Sequence, residues 1–299
     1  MADHLYRYFA RLCYWYNDCF IFEKIIWMKK IIITISLFVV LGACSRNAIT
    51  GRKQLQFFNE SDIQSMALQE YQQFLTKNKV VSTSINKDAE MVHRVGGRIS
   101  TAITKFYTDK GLAGELEGYK WEYNLIDSKD VNAWCMPGGK IVVYTGLLPI
   151  SQNEAALAVV MGHEVAHALA KHGNERMSQA TAQQLGGVAV SVAVANKTPE
   201  AQNLFNTAFG LGSNLLGILP FSRKHELEAD KLGLIYAALA GYNPQEAIPL
   251  WERMATASNG QKPPEFLSTH PSEETRIEKL KAMMPEALKY YKPMNQSGK

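Results

Sequence analysis

Cysteine is scarce in this chain, with four in 299 residues, at positions 13, 19, 44 and 135. Cys135 alone lies in the body of the sequence, so no internal disulfide framework holds the fold and a hydrophobic core must do so. Charge of one sign is also lacking. Lys and Arg number 32 against 28 Asp and Glu, a net +4, and beyond residue 44 the excess falls to +2. Neither a basic stripe nor an acidic tail stands out, which removes nucleic acid from the expected partners. Long apolar runs are missing too. Ile31 to Leu41 and Gly186 to Ala195 both fall short of the ~20 residues that cross a bilayer as a helix. What is plentiful is apolar residue overall, 46% of the composition, enough for one substantial core in a chain of this length.

Met28-Lys29-Lys30, the apolar run from Ile31 and then Leu41-Gly42-Ala43-Cys44 have the layout of a secretory signal. The last four residues resemble the lipobox of bacterial lipoproteins. That resemblance implies cleavage before Cys44, acylation of Cys44 and a mature chain anchored there to a membrane. Ser45 is not the aspartate that favours retention at the enterobacterial inner membrane, so the resemblance points to the periplasmic face of the outer membrane. Residues 1–27 hold nine aromatic residues and precede a complete signal, so they read as a doubtful upstream extension, with translation starting at Met28. Residues 28–43 are then the signal peptide, and residues 44–60 a lipidated cysteine with a polar tether.

Periodicity predicts a helix over 61–77, with Ser61 and Gln64 at capping-box spacing, and a second over 88–106 carrying Met91, Val92, Val95, Ile99 and Ile103. The period then changes to two. Tyr119 to Leu125, Val131 to Met136 and Lys140 to Tyr144 read as strands, the last two joined through Pro137-Gly138-Gly139. A helix follows from about Ser151 to His172, with Ser151 and Glu154 again at capping-box spacing and Gly173 as its stop. Residues 186–195 and 202–219 read as further helices packed over it.

That helix contains His163-Glu164-Val165-Ala166-His167, the spacing HExxH. Residues four apart sit about 40° from one another around a helix, so both imidazoles can reach one ion while Glu164 falls beside them. A zinc ion so held takes a third protein ligand and keeps one position for water, whose proton Glu164 would accept. His172 lies about 180° round the helix from His163, which gives it a capping or supporting place rather than a ligand's. The third ligand is read from Ser222-Arg-Lys-His-Glu-Leu-Glu-Ala-Asp230. Glu226 and Asp230 are one turn apart, so Glu226 can complete the ligand set while Asp230 accepts a hydrogen bond from a ligand histidine. Glu228 points about 200° away from Glu226.

HEVAH followed by FSRKHELEAD closely resembles the HtpX-like and CAAX prenyl protease-like zinc metallopeptidases. Asn132-Ala133 with Pro137-Gly138-Gly139, and Thr269-His270-Pro271 with Arg276, extend the match from about Ala48 to Met283. The resemblance implies one Zn2+ per chain on His163, His167 and Glu226, with Glu164 as the base, and places the chain in a soluble periplasmic lipoprotein branch. His270 is either a regulatory ligand or oxyanion partner, or a helix cap, and Arg276 is read as structural. The strand over Asn132, Ala133, Trp134 and Cys135 is the expected edge for an extended peptide substrate.

The expected fold is therefore α+β, a mainly helical zincin-like (gluzincin) metallopeptidase domain over residues 61–285 with a small sheet before the metal helix, and a tail over 286–299. Expected partners are unfolded or misassembled envelope proteins as substrates, and a membrane through the lipid at Cys44. The rival expectation is a periplasmic chaperone or assembly factor with a latent site.

Overall fold

The computed structural model describes residues 27, 44–185, 199–209, 222–258, 266, 270 and 275–293. The signal-like segment 28–43 and the apolar stretch 186–195 lie outside the described residues, as do Thr269 and Pro271. Of the helical expectation over 202–219, residues 202–209 are described.

The element order is a hairpin of β1 (Cys44–Arg46) and β2 (Lys53–Leu55), helices α1 (Glu60–Lys77) and α2 (Lys87–Asp109), and strands β3 (Glu122–Ile126), β4 (Ala133–Met136) and β5 (Lys140–Tyr144). Helices α3 (Glu154–Leu169), α4 (His172–Leu185), α5 (Pro199–Phe209), α6 (Arg223–Leu239), α7 (Ala247–Ser258) and α8 (Arg276–Leu288) follow. Together these form the α+β architecture expected from the change of period in the sequence.

The sheet has the order β3-β5-β4, with β5 parallel to β3 and antiparallel to β4. Ile141, Val142 and Val143 are wholly buried, which is why the central strand is an unbroken apolar run rather than an alternating one. A bridge from Val80 to Ile126 touches the far side of β3, and β4 is the edge strand packed beside helix α3. Tyr119 and Trp121, expected within the first strand, lie ahead of it, with the Trp121 ring close against the glycine turn at Gly139.

Helix α3 is the centre of the fold. Every residue from Ala156 to Leu169 is buried, so this helix carries no solvent face. Both capping-box expectations give way to asparagine. Asn153 caps α3 by accepting from the Ala156 amide, and Ser151 belongs to a preceding short helical turn separated by Gln152 at φ 63°. Asn59, extended at φ −68° and ψ 139°, precedes α1, so Ser61 lies inside it. At the other end α3 stops at Leu169, three residues before His172, because Lys171 turns left-handed at φ 58°. Gly173 is not a stop. It sits within α4, where a Cβ would meet Phe209 Cζ at 2.1 Å.

Helices α3 and α6 cross at Gly162 and Gly233. A Cβ on Gly162 would lie 2.8 Å from the Gly233 carbonyl oxygen, and one on Gly233 would lie 2.7 Å from the His163 amide nitrogen. No side chain separates the two backbones, which is what brings the acidic residues of α6 up to His163. Gly233→Val is expected to cost about 3 kcal/mol or more, since the clash is with backbone that cannot rotate away. A denaturant midpoint unchanged from the parent would show that the crossing tolerates a side chain.

Two boundaries differ from expectation. Residues 44–55 are not a free tether but a hairpin seated on the domain, because the Gln54 side-chain amide donates to the Ala170 carbonyl and Arg52 reaches Glu175 and Glu228. The domain also continues past residue 285, through α8 with Ala287 buried and Glu286 paired to Lys231 at 2.9 Å. Among the described residues no helix is long and apolar enough to cross a membrane.

Candidate active site

His163 and His167, one turn apart on α3, bring their Nε2 atoms to 3.0 Å from each other. Glu226, at the start of α6 under the Ser222 cap, places Oε2 3.5 Å from His163 Nε2 and Oε1 3.4 Å from His167 Nε2. His270 closes the group, with Nδ1 3.0 Å from Glu226 Oε1 and 3.3 Å from His163 Nε2. One ligand atom from each of these four buried residues lies within 4.8 Å of all the others. Three imidazole nitrogens and a carboxylate oxygen converging in a buried space match the donor set of a tetrahedral zinc site. Glu226 Oε2, fully buried, makes no hydrogen bond among the described residues; its neighbours are the Arg276 guanidinium at 3.2 Å and His163 Nε2 at 3.5 Å.

The electrostatics agree. Burial alone would raise Glu226, but the charge of His270 and hydrogen bonds from His163 and His167 hold it well below the ordinary carboxylate range. Burial works against charge on His163, yet Asp230 and Glu226 hold its pKa at about 9. Burial leaves His167 well below its usual value. Without metal the cluster thus keeps a proton on His163, which a metal ion would have to displace.

Glu164 stands beside the cluster, its Oε1 3.5 Å from His270 Nε2 and without a hydrogen-bond partner among the described residues. Burial raises its pKa, which moves a carboxylate toward the range useful to a general base. Asp230 lies on the other side, its Oδ1 3.0 Å from His163 Nδ1. Arg276, read from sequence as structural, grips Asp230 with two hydrogen bonds of 2.9 and 2.7 Å and reaches Glu226 Oε2 at 3.2 Å. Its guanidinium lies 3.5 Å over the centre of the Trp251 ring. Arg276 therefore fixes the carboxylate that lies against His163 Nδ1.

The cleft between α3 and β4 is lined by Asn132, Ala133, Trp134 and Cys135 on one side and by Glu164, His167 and His270 on the other. Its volume is about 40 Å³, room for water but not for a peptide. The side chains of β4 are engaged elsewhere. Asn132 Oδ1 accepts from the Ala133 amide, and the Trp134 ring packs edge-on against Phe74, 5.0 Å between centres. Any hold on a peptide would thus come from the strand's backbone. Burial pushes the Cys135 thiol well up, which leaves it a poor nucleophile.

Two cleft residues carried no signal in the sequence. Arg176, buried on α4 with its pKa lowered to about 9 by burial, and Phe209 on α5 both line the cleft. Neither falls at a ligand spacing from HExxH, so only the return of α4 and α5 across the cleft reveals them.

The sequence profile of Peptidase family M48 matches residues 95–284. Among similar proteins, the mitochondrial metalloendopeptidase OMA1 of Schizosaccharomyces pombe is 41% identical over 171 residues, 56% of this chain and 48% of that protein. The zebrafish (Danio rerio) mitochondrial metalloendopeptidase OMA1 is 31% identical over 246 residues, 80% of this chain and 50% of that protein. The beta-barrel assembly-enhancing protease of Escherichia coli is 30% identical over 161 residues, 52% of this chain and 33% of that protein. The matched region spans about half the length of the OMA1 relatives, 48% and 50%.

Proposed function

The chain belongs to Peptidase family M48, and from that premise we propose that it is a zinc-dependent endopeptidase that cleaves unfolded or misassembled envelope proteins. The observation that carries the reading is the convergence of His163, His167 and Glu226 beside Glu164, whose buried Oε1 makes no hydrogen bond among the described residues. Zinc held by His163, His167 and Glu226 would supply a water of lowered pKa and polarisation of the scissile carbonyl. Glu164 takes the proton of the attacking water and passes it to the departing amine. Strand β4 lays the substrate backbone alongside the cluster by adding a strand to the sheet edge. Asp230 and Arg276 keep His163 turned with Nε2 toward the ion.

The setting follows the lipobox resemblance. Acylated at Cys44, the protein would sit on the periplasmic face of a bacterial envelope membrane, the outer one by the rule drawn from Ser45. The Escherichia coli relative is by name a beta-barrel assembly-enhancing protease, which supports a substrate among envelope proteins. The fungal and zebrafish relatives are mitochondrial by name, and support the endopeptidase chemistry rather than the compartment.

His270 sets the resting state. With zinc held by His163, His167 and Glu226, His270 would be a fourth protein donor in the place that water needs, and the site would open when His270 withdraws. The narrow cleft favours the same reading. His270→Ala is expected to raise cleavage of casein several-fold with zinc content preserved, read by release of acid-soluble peptides and by metal analysis. Unchanged cleavage and unchanged zinc would remove His270 from the active site. The general assignment is tested by offering the full chain casein beside a folded protein of similar size. Casein alone should be cut, and a metal chelator should stop it.

A further inference from the structure

The second ligand histidine has its own support, and it leads to the hairpin that follows Cys44. His167 Nε2 faces the cluster, so a metal held there leaves the ring's proton on Nδ1. That atom lies 2.9 Å from His172 Nδ1. His172 is wholly buried, and its Nδ1 must accept, which puts its own proton on Nε2. Glu228 Oε2 lies 2.9 Å from that Nε2 and accepts it. The donors and acceptors run in one direction, from His167 through His172 to a carboxylate.

Glu228 is itself held from the hairpin. It accepts hydrogen bonds from the Thr50 hydroxyl and the Arg52 Nε. The other two guanidinium nitrogens of Arg52 donate to Glu175 at 3.0 and 2.7 Å. Glu175 also accepts from His225 Nε2 at 3.0 Å, and the His225 ring stacks on His172, 4.4 Å between centres and 19° from parallel. One arginine thus bridges both carboxylates that flank the imidazole pair. The arrangement at His163 is similar in outline, since its Nδ1 lies 3.0 Å from the Asp230 carboxylate and Arg276 grips that carboxylate. The difference is that Arg276 belongs to the last helix of the domain, whereas Arg52 comes from the segment next to Cys44.

We propose that Arg52, acting through Glu228 and His172, is a positioning residue that fixes the tautomer and ring orientation of His167 for metal binding. The hairpin between Cys44 and the domain is therefore a working part of the metal centre rather than a spacer. The proposal rests on the cluster being a zinc site.

The test measures zinc affinity in the full chain by competition with a chromogenic chelator, for the parent, Arg52→Ala and Glu228→Gln. Loss of such outer partners lowers metal affinity about 10- to 100-fold, and that fall is expected in Arg52→Ala. Glu228→Gln keeps the side chain's shape and so folds even where Arg52→Ala does not; a fall of about 10-fold is expected from its weaker neutral acceptor. The visible absorption of the cobalt-substituted variants should shift as the His167 ligand turns, while KM for a peptide at saturating zinc stays at the parent value. A purely structural role would lower the melting temperature of the metal-free protein and leave zinc affinity and the cobalt spectrum unchanged, overturning the proposal. A parent chain that binds no zinc removes the premise itself, a different result from a parent that binds zinc as its variants do.

Discussion

Glu164→Gln lowers kcat for peptide cleavage by about 10²–10⁴-fold, the usual contribution of a positioned general base, while zinc content stays at the parent level. The substitution is nearly isosteric, and Glu164 is not among the four residues that converge on the ion position. Its oxygen Oε1 has no hydrogen-bond partner among the described residues, so the amide breaks no internal bond there. Stability should therefore hold or rise slightly, because the change relieves the burial of an ionisable group whose pKa burial already raises. The measurement is kcat on a fluorogenic peptide beside metal analysis of the same preparation. A variant that loses zinc as well as activity would place Glu164 in the ligand set. A variant that keeps parental kcat would take it out of the chemistry.

Asp230→Ala should damage both fold and site. Asp230 is buried and takes two hydrogen bonds from Arg276, itself buried. Removing the carboxylate leaves a buried guanidinium with half of its compensation, a change that costs about 3–5 kcal/mol. For a domain of this size that is a fall in Tm of about 6–20 °C. The guanidinium would then be drawn onto Glu226, which it already touches at 3.2 Å, and would compete with the metal for that oxygen. Zinc affinity should consequently fall about 10- to 100-fold. Thermal melts with and without zinc separate the two effects, since the metal-free difference reports the lost ion pair and the extra loss with zinc reports the site. A metal-free Tm within about 2 °C of the parent would mean that Arg276 finds other partners.

The ligand spacings were legible in the sequence because a helix has a fixed period. His163 and His167, and likewise Glu226 and Asp230, must share a face if their segments are helical; an apolar run surrounds the first pair, and apolar residues at helical spacing follow the second. The sheet was legible for a similar reason, since Lys140 to Tyr144 reads as a strand at a period of two or as an unbroken apolar run. Helix ends were less so. Ser151 and Glu154 satisfy the capping-box spacing as well as Asn153 satisfies a simple cap, and what decides between them is Gln152, which turns left-handed to end the short turn before α3.

The supporting residues show the limit more sharply. Arg52 and Glu228 are 176 positions apart, and nothing in the local pattern around a polar stretch with one glycine announces that it docks. The same holds for Arg176 and Phe209, which reach the cleft only because α4 and α5 fold back. The angle around a continuous helix sets His172 apart from His163, and it does lie outside the cluster of His163, His167, Glu226 and His270, although the helix is in fact broken before it. It arrives beside His167 because Lys171 turns left-handed and starts α4 at that point.

The most direct test strips metal from the purified full chain with a chelator and returns zinc in measured amounts, following bound zinc and casein cleavage together. Cleavage should vanish on stripping and return in proportion to zinc, levelling at one ion per chain, and a His167→Ala chain should recover neither. Cleavage that survives stripping, or a chain that binds no zinc, would contradict the reading of His163, His167 and Glu226 as a catalytic metal site.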